Sequence, residues 1–177
     1  MGVDTMGQTT TPVAGSTPIA VGDAAPDFRL RGGGEITIAL RDLRGRPVLL
    51  AFYPNDWSPV CGDQLSALAG QAEEFERRGV TLLGISVDGA WSHAAFAEAR
   101  GIGFPLLSDF EPKGAVARAY GVYRQQDGYS GRALVLIDGD GVVRWTRIVD
   151  PWIDPGSGEA LAAIDGLLAG DVTASGG

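Results

Sequence analysis

Residues 48–61 read Val-Leu-Leu-Ala-Phe-Tyr-Pro-Asn-Asp-Trp-Ser-Pro-Val-Cys, and the fold turns on them. Val48 to Tyr53 is an unbroken apolar run of strand length, the pattern of a strand covered on both faces. Pro54 and Pro59 then interrupt any regular pattern. Beyond them Leu65, Leu68, Ala72 and Phe75 recur at three- and four-residue spacing, which predicts one long helix closed by Gly79. Cys61 lies four residues before Leu65, so it shares that face in the first turn of the helix. Unpaired backbone N–H groups and the positive end of the helix dipole sit there, and both favour the reactive thiolate over the thiol. Cys61 is the only cysteine of the chain. A lone cysteine is as often an inert core residue, so position alone leaves both readings open.

Upstream, residues 1–17 are mostly Thr, Gly, Ser and Pro with little to bury; they read as a disordered leader, with Met6 as an alternative start. A globular domain is expected over 18–170 and a flexible tail over 171–177. Residues 28–30 and 36–40 flank Gly32-Gly33-Gly34 as a hairpin, and 42–47 form a turn into the central strand. Downstream, strands are expected at 80–87, 105–108, 133–137 and 142–148, and helices at 91–100, 113–120 and 158–169. Asp138-Gly139-Asp140-Gly141 is read as a tight turn, because it lacks the later ligands of a calcium loop. His93, the one histidine, has no partner nearby in sequence and is expected on the surface. Strand–helix alternation followed by an antiparallel pair predicts an α/β fold: a mixed central sheet with helices on both faces, thioredoxin-like.

The chain has 177 residues, 45% of them hydrophobic, enough for one well-filled core. A net charge of −8 argues against nucleic acid and against anionic membrane surfaces, both of which need a basic field. No stretch approaches a membrane span, and no charged and apolar secretory signal opens the chain. One cysteine allows no internal disulfide, which fits a reducing, cytoplasmic setting.

The stretch FYPNDWSPVC resembles the signature of the peroxiredoxins: two aromatics, Pro, three residues, Thr or Ser, two residues, Cys. The match falls on Phe52, Tyr53, Pro54, Ser58 and Cys61. GDAAPDFRL, LRDLRGRPVLLAFYP, GFPLLSDFEPKGAVARAYGVY and GRALVLIDGDGVVRW are similar to the family's other segments, the third of them to its single-cysteine AhpE-type branch. Ser66 stands where one sub-group has a second cysteine, and no cysteine follows near the C-terminus. The resemblance implies a thioredoxin-fold peroxidase with Cys61 as peroxidatic nucleophile. It further implies Ser58 as hydrogen-bond partner of the peroxide, Pro54 as a shield of the thiolate from water, and Arg132 as a guanidinium at thiolate and peroxide. Gln64 stands where relatives often have Glu; an amide is not expected to pair with the arginine as a carboxylate does. Gln64 and Trp57 are further substrate-side candidates. No cofactor and no metal is implied. The partners implied are a hydroperoxide and an external thiol, or a thioredoxin- or glutaredoxin-like reductant. A homodimer through surfaces beside the active-site loop is implied too, with Trp57 and Phe110 as candidate contacts.

Ionisation alone does not make a thiol a fast peroxidase. A thiol moved from pKa ~8.5 to ~6 gains roughly thirty-fold in thiolate at neutral pH and loses part of that in nucleophilicity. Donors aimed at the leaving oxygen must supply more, ~2.7–4 kcal/mol each. Without a second sulfur, the sulfenic acid product is cleared by an outside thiol. An alternative reading is a redox sensor or relay that hands its oxidation to a protein partner.

Overall fold

The computed structural model describes residues 17–170. The expected leader, apart from Thr17, the alternative start at Met6 and the tail at 171–177 lie outside the described residues. In chain order the elements are β1 (Arg29–Gly32), β2 (Thr37–Ala39), a 3-10 turn (Leu40–Leu43), β3 (Val48–Phe52), α1 (Pro59–Gly70), α2 (Ala72–Arg77), β4 (Thr81–Ser86), α3 (Ala90–Arg100), β5 (Leu106–Ser108), α4 (Ala115–Ala119), β6 (Tyr123–Arg124), β7 (Tyr129–Ser130), β8 (Arg132–Ile137), β9 (Val143–Val149) and α5 (Gly158–Leu168).

Seven strands form one sheet in the order β2-β1-β5-β4-β3-β8-β9. β3, β4 and β5 run parallel, joined by crossovers through helices, while β8 and the hairpins are antiparallel. This is the expected mixed sheet. β3 lies in its interior between β4 and β8, and all five of its residues are buried. Period-two alternation then sends its side chains into two different cores. Val48, Leu50 and Phe52 join Tyr120, the C-cap of the short α4, on one face. Leu49, Ala51 and Tyr53 join Leu65, Phe75, Phe96 and Ile164 from α1, α2, α3 and α5 on the other. β8 divides the same way, with Leu134 and Leu136 on the four-helix side. Arg132 therefore points to that side too, and the β3–β8 register places it one step beyond Phe52↔Ala133, beside Tyr53.

Three expectations change. The single long helix is two: α1 ends at Gly70, and Gln71 turns back by donating its N–H to the carbonyls of Leu68 and Ala69. Glycine is a poor helix residue, by about 1 kcal/mol against alanine, and the tightened last turn redirects α2 so that Phe75 still reaches the core. The β6–β7 hairpin was not expected, since two-residue strands carry no readable period. His93 is fully buried, not on the surface. Elsewhere the β1–β2 hairpin presses on α3 so closely that a Cβ on Gly33 would lie 2.9 Å from the Ala94 nitrogen.

The tight turn at 138–141 is held by one carboxylate. Asp138 accepts from the N–H groups of Asp140 and Val142, both at 2.9 Å, and from Arg144 Nε at 2.6 Å. Burial works against its charge, but the Val142 N–H, the Arg144 guanidinium and the Asp140 N–H together hold its carboxyl below the usual carboxylate range. Asp138→Ala is expected to cost about 1–2 kcal/mol at pH 7. Because the folded-state value is depressed, that stabilisation is complete above the unfolded range near ~4 and fades as pH falls through the folded value. Urea melts of wild type and variant at neutral and at strongly acid pH should show the gap closing.

Candidate active site

β3 delivers the chain to Tyr53, whose N–H continues the ladder onto the Ile85 carbonyl at 3.1 Å. Residues 54–58 then turn the chain into α1. Ser58 is the N-cap, extended at φ −65° and ψ 135°, and Pro59 follows at the first helical position. The Ser58 Oγ accepts from the Cys61 N–H at 3.5 Å, a long cap bond. Cys61 thus stands in the first turn of α1 and is fully buried, and Pro54 at the loop's entry is buried too.

Arg132 enters from β8 and is also fully buried. Its Nε and Nη2 donate to the Pro151 carbonyl at 3.0 and 2.6 Å, its Nη1 donates to Gln64 Oε1, and its Nη2 stands 3.2 Å from Cys61 Sγ. The fork is thereby fixed in plane and direction. Among the described residues its acceptors are a backbone carbonyl, an amide and the sulfur, with no carboxylate. The expectation for Gln64 is corrected here: the amide does pair with the arginine, because its carbonyl oxygen accepts without needing charge. Its Nε2 is buried and has no hydrogen-bond partner among the described residues. Cys61, Ser58, Arg132 and Gln64 are thus together. Trp57 is not in that cluster: it is half exposed, its ring edge-on to Phe96 of α3 at 5.2 Å, with a left-handed backbone at φ 68°.

A single sulfur facing a pinned guanidinium at the start of a helix after a central strand is a site for attack on a small polarisable bond. The AhpC/TSA family matches residues 21–146. The chain belongs to this family, the peroxiredoxins. It is 39% identical over 132 residues to alkyl hydroperoxide reductase E of Mycobacterium tuberculosis, covering 74% of this chain and 86% of the relative. It is 33% identical over 154 residues to peroxiredoxin-2 of Pongo abelii, covering 81% and 86%. Among solved structures, the reduced 2-Cys peroxiredoxin of Plasmodium vivax superposes with a TM-score of 0.80 at 32% identity, covering 87% of this chain and 84% of that one. As a peroxiredoxin it is a thiol-dependent peroxidase, an oxidoreductase acting on peroxide. Among the described residues no helix is long and apolar enough to cross a membrane.

This peroxiredoxin holds groups near its loop whose placement there the sequence did not reveal. The Pro151 carbonyl is one; as a backbone atom it has no signature. Asp56, Tyr53 and His93 form a buried polar cluster behind the loop. The spacing of His93 to Phe96, one helical turn, was the available signal that both face inward, but alanines on every side of α3 obscured it.

Proposed function

We propose that this peroxiredoxin works with one cysteine, reducing hydrogen peroxide and organic hydroperoxides through a Cys61 sulfenic acid that an external thiol recycles. The Arg132 guanidinium 3.2 Å from Cys61 Sγ carries the reading. Thiolate sulfur attacks one peroxide oxygen, the O–O bond breaks, and hydroxide or alkoxide leaves with the bonding pair. The sulfur is oxidised by two electrons as the peroxide is reduced. The Arg132 N–H groups and the Ser58 hydroxyl are the donors for the charge that grows on the departing oxygen, and Pro54 limits water at the sulfur. One thiol then condenses with the sulfenic acid, releasing water and leaving a mixed disulfide; a second thiol resolves it. The chain has no other cysteine for that step. A thioredoxin- or glutaredoxin-like protein serves as well as a small thiol, and the protein works in the cytoplasm. It pairs as a homodimer, for which the exposed rings of Trp57, on the loop, and Phe110 are suitable contacts.

Intact-mass spectrometry tests this. One equivalent of peroxide should add one oxygen at Cys61, and a small thiol should convert that species to a mixed disulfide and then return the starting mass. An oxidised mass that no thiol or thioredoxin-like protein returns, with a stable adduct to one cellular protein instead, would replace recycling by the relay reading.

A further inference from the structure

The oxygen that orients Arg132 belongs to a peptide lying just outside the sheet. The β8–β9 ladder ends at the pair Arg132↔Val149, so strand pairing fixes nothing beyond residue 149. Asp150-Pro151-Trp152-Ile153 then make a tight turn, closed by the Ile153 N–H donating to the Asp150 carbonyl at 2.9 Å. Aspartate at the first position and proline at the second are what such a turn prefers. The Asp150 side chain adds a bond of its own: its Oδ1 accepts the Trp152 N–H at 2.9 Å. On the other side, the Pro151 carbonyl accepts Arg132 Nε at 3.0 Å and Nη2 at 2.6 Å.

That carbonyl and that N–H are the two ends of one peptide unit. The unit is planar and trans, so its N–H and C=O point in opposite directions and can only rotate together. Anchoring the N–H on Asp150 therefore aims the oxygen at the guanidinium. The alternative turn swings the central peptide over, carries its carbonyl to the opposite side and requires a left-handed third residue. Trp152 is not left-handed: glycines aside, Trp57 alone is so among the described residues. Of these two turns, only the observed one gives Arg132 its acceptor. Asp150 and Trp152 are exposed while Pro151 is buried. One peptide plane thus joins a surface carboxylate to the buried fork 3.2 Å from Cys61 Sγ. Gln64 Oε1 holds only the Nη1 corner, whereas Nε and the Nη2 that meets the sulfur both depend on Pro151.

We propose that Asp150 is a positioning residue of the peroxidase: through the Trp152 N–H it sets the plane of the Pro151–Trp152 peptide, and so the direction from which Arg132 faces Cys61. This rests on the peroxidase reading above. Asp150 touches neither sulfur nor peroxide, and its part is geometric: an acceptor oxygen two residues before the N–H is what counts, not its charge. Three substitutions separate the two. Asparagine keeps an oxygen at the same reach and drops the charge. Glutamate keeps the charge and sets its oxygens one methylene too far out for this turn bond. Alanine drops both.

The test is the rate of Cys61 oxidation by hydrogen peroxide in wild type, Asp150→Ala, Asp150→Asn and Asp150→Glu, each with Arg132 intact and with Arg132→Met. With Arg132 intact, the alanine and glutamate variants should be slower by about 10-fold, a fraction of what a misplacement of about 1 Å costs. Asp150→Asn should stay within about two-fold of wild type. In the Arg132→Met background all of them should react at one rate, because no guanidinium is left to aim; a general loosening of the fold would slow them there as well. The Arg132 Nε–H, assigned in nitrogen-15 spectra by its loss in Arg132→Met, should exchange with solvent faster in Asp150→Ala and Asp150→Glu and at the wild-type rate in Asp150→Asn. An alanine variant as fast as wild type, an asparagine variant as slow as alanine, or an equal loss in the Arg132→Met background would overturn the proposal. Should Asp150→Ala not fold, the asparagine and glutamate variants still decide. A wild type with no Cys61-dependent peroxide consumption would refute the peroxidase reading instead, while the Nε–H exchange reports on Asp150 regardless.

Discussion

Arg132→Met should slow the oxidation of Cys61 by hydrogen peroxide about 10²- to 10³-fold, the usual loss for one donor aimed at developing negative charge. Cys61→Ser supplies the baseline and should consume no peroxide. The effect of Arg132 is large for two reasons. Its Nη2 already stands 3.2 Å from the sulfur, so the incoming oxygen meets a donor that needs no rearrangement. Its orientation is set from behind by two bonds to the Pro151 carbonyl, at 3.0 and 2.6 Å, and by Gln64 Oε1. Arg132→Lys should recover little, because an ammonium is a point charge on a flexible stem and cannot hold carbonyl, amide and sulfur in one plane. Stopped-flow measurement of the three variants, with excess peroxide and intrinsic tryptophan fluorescence or direct mass quench, reads the rates. An Arg132→Met enzyme within a few-fold of wild type would show that the guanidinium is structural.

Cys61→Ala should destabilise the protein by about 3–5 kcal/mol, far beyond the loss of one small side chain. A guanidinium does not shed its proton, and Arg132 is fully buried with no carboxylate among its acceptors. The sulfur, 3.2 Å from Nη2, is the one acceptor there able to serve as a counter-charge, and removing it strands the guanidinium. Arg132→Met removes the charge itself and strands none, so that variant should lose less. The double variant should therefore be more stable than the sum of the single effects allows, by clearly more than the ~0.5 kcal/mol within which independent sites add. Gln64→Glu in the Cys61→Ala background should return much of the loss by placing a carboxylate on Arg132 Nη1. Urea denaturation of the set measures all of these. Strict additivity of Cys61→Ala and Arg132→Met would mean the sulfur is not the arginine's counter-charge.

In the one-cysteine reading proposed above, few groups do several things. Ser58 caps the helix that carries the sulfur and offers a hydroxyl to the site. Arg132 begins strand β8 and sets its guanidinium against the sulfur. α3 packs on the sheet through Phe96 and holds the loop through Ser92 and His93.

The sequence by itself determined what depends on near neighbours. The apolar run at 48–53, the proline-bounded turn, the Ser58–Cys61 helix start, the glycine-closed helix α3 and the Asp138 turn are each specified within a few residues. Their patterns survive in one dimension because side-chain period and backbone capping are local. Arg132 was legible only through likeness to a family, since an arginine entering a strand carries no local mark of function. Tertiary structure alone decided the rest. Sheet order sets β8 against β3 and so brings residue 132 to residue 61 across 71 positions. The same folding gives Arg132 a backbone oxygen at Pro151 and buries His93 against a carboxylate 37 residues away. Those partners are chosen by geometry between distant segments, and by carbonyl groups that every residue shares, so no residue type announces them in advance.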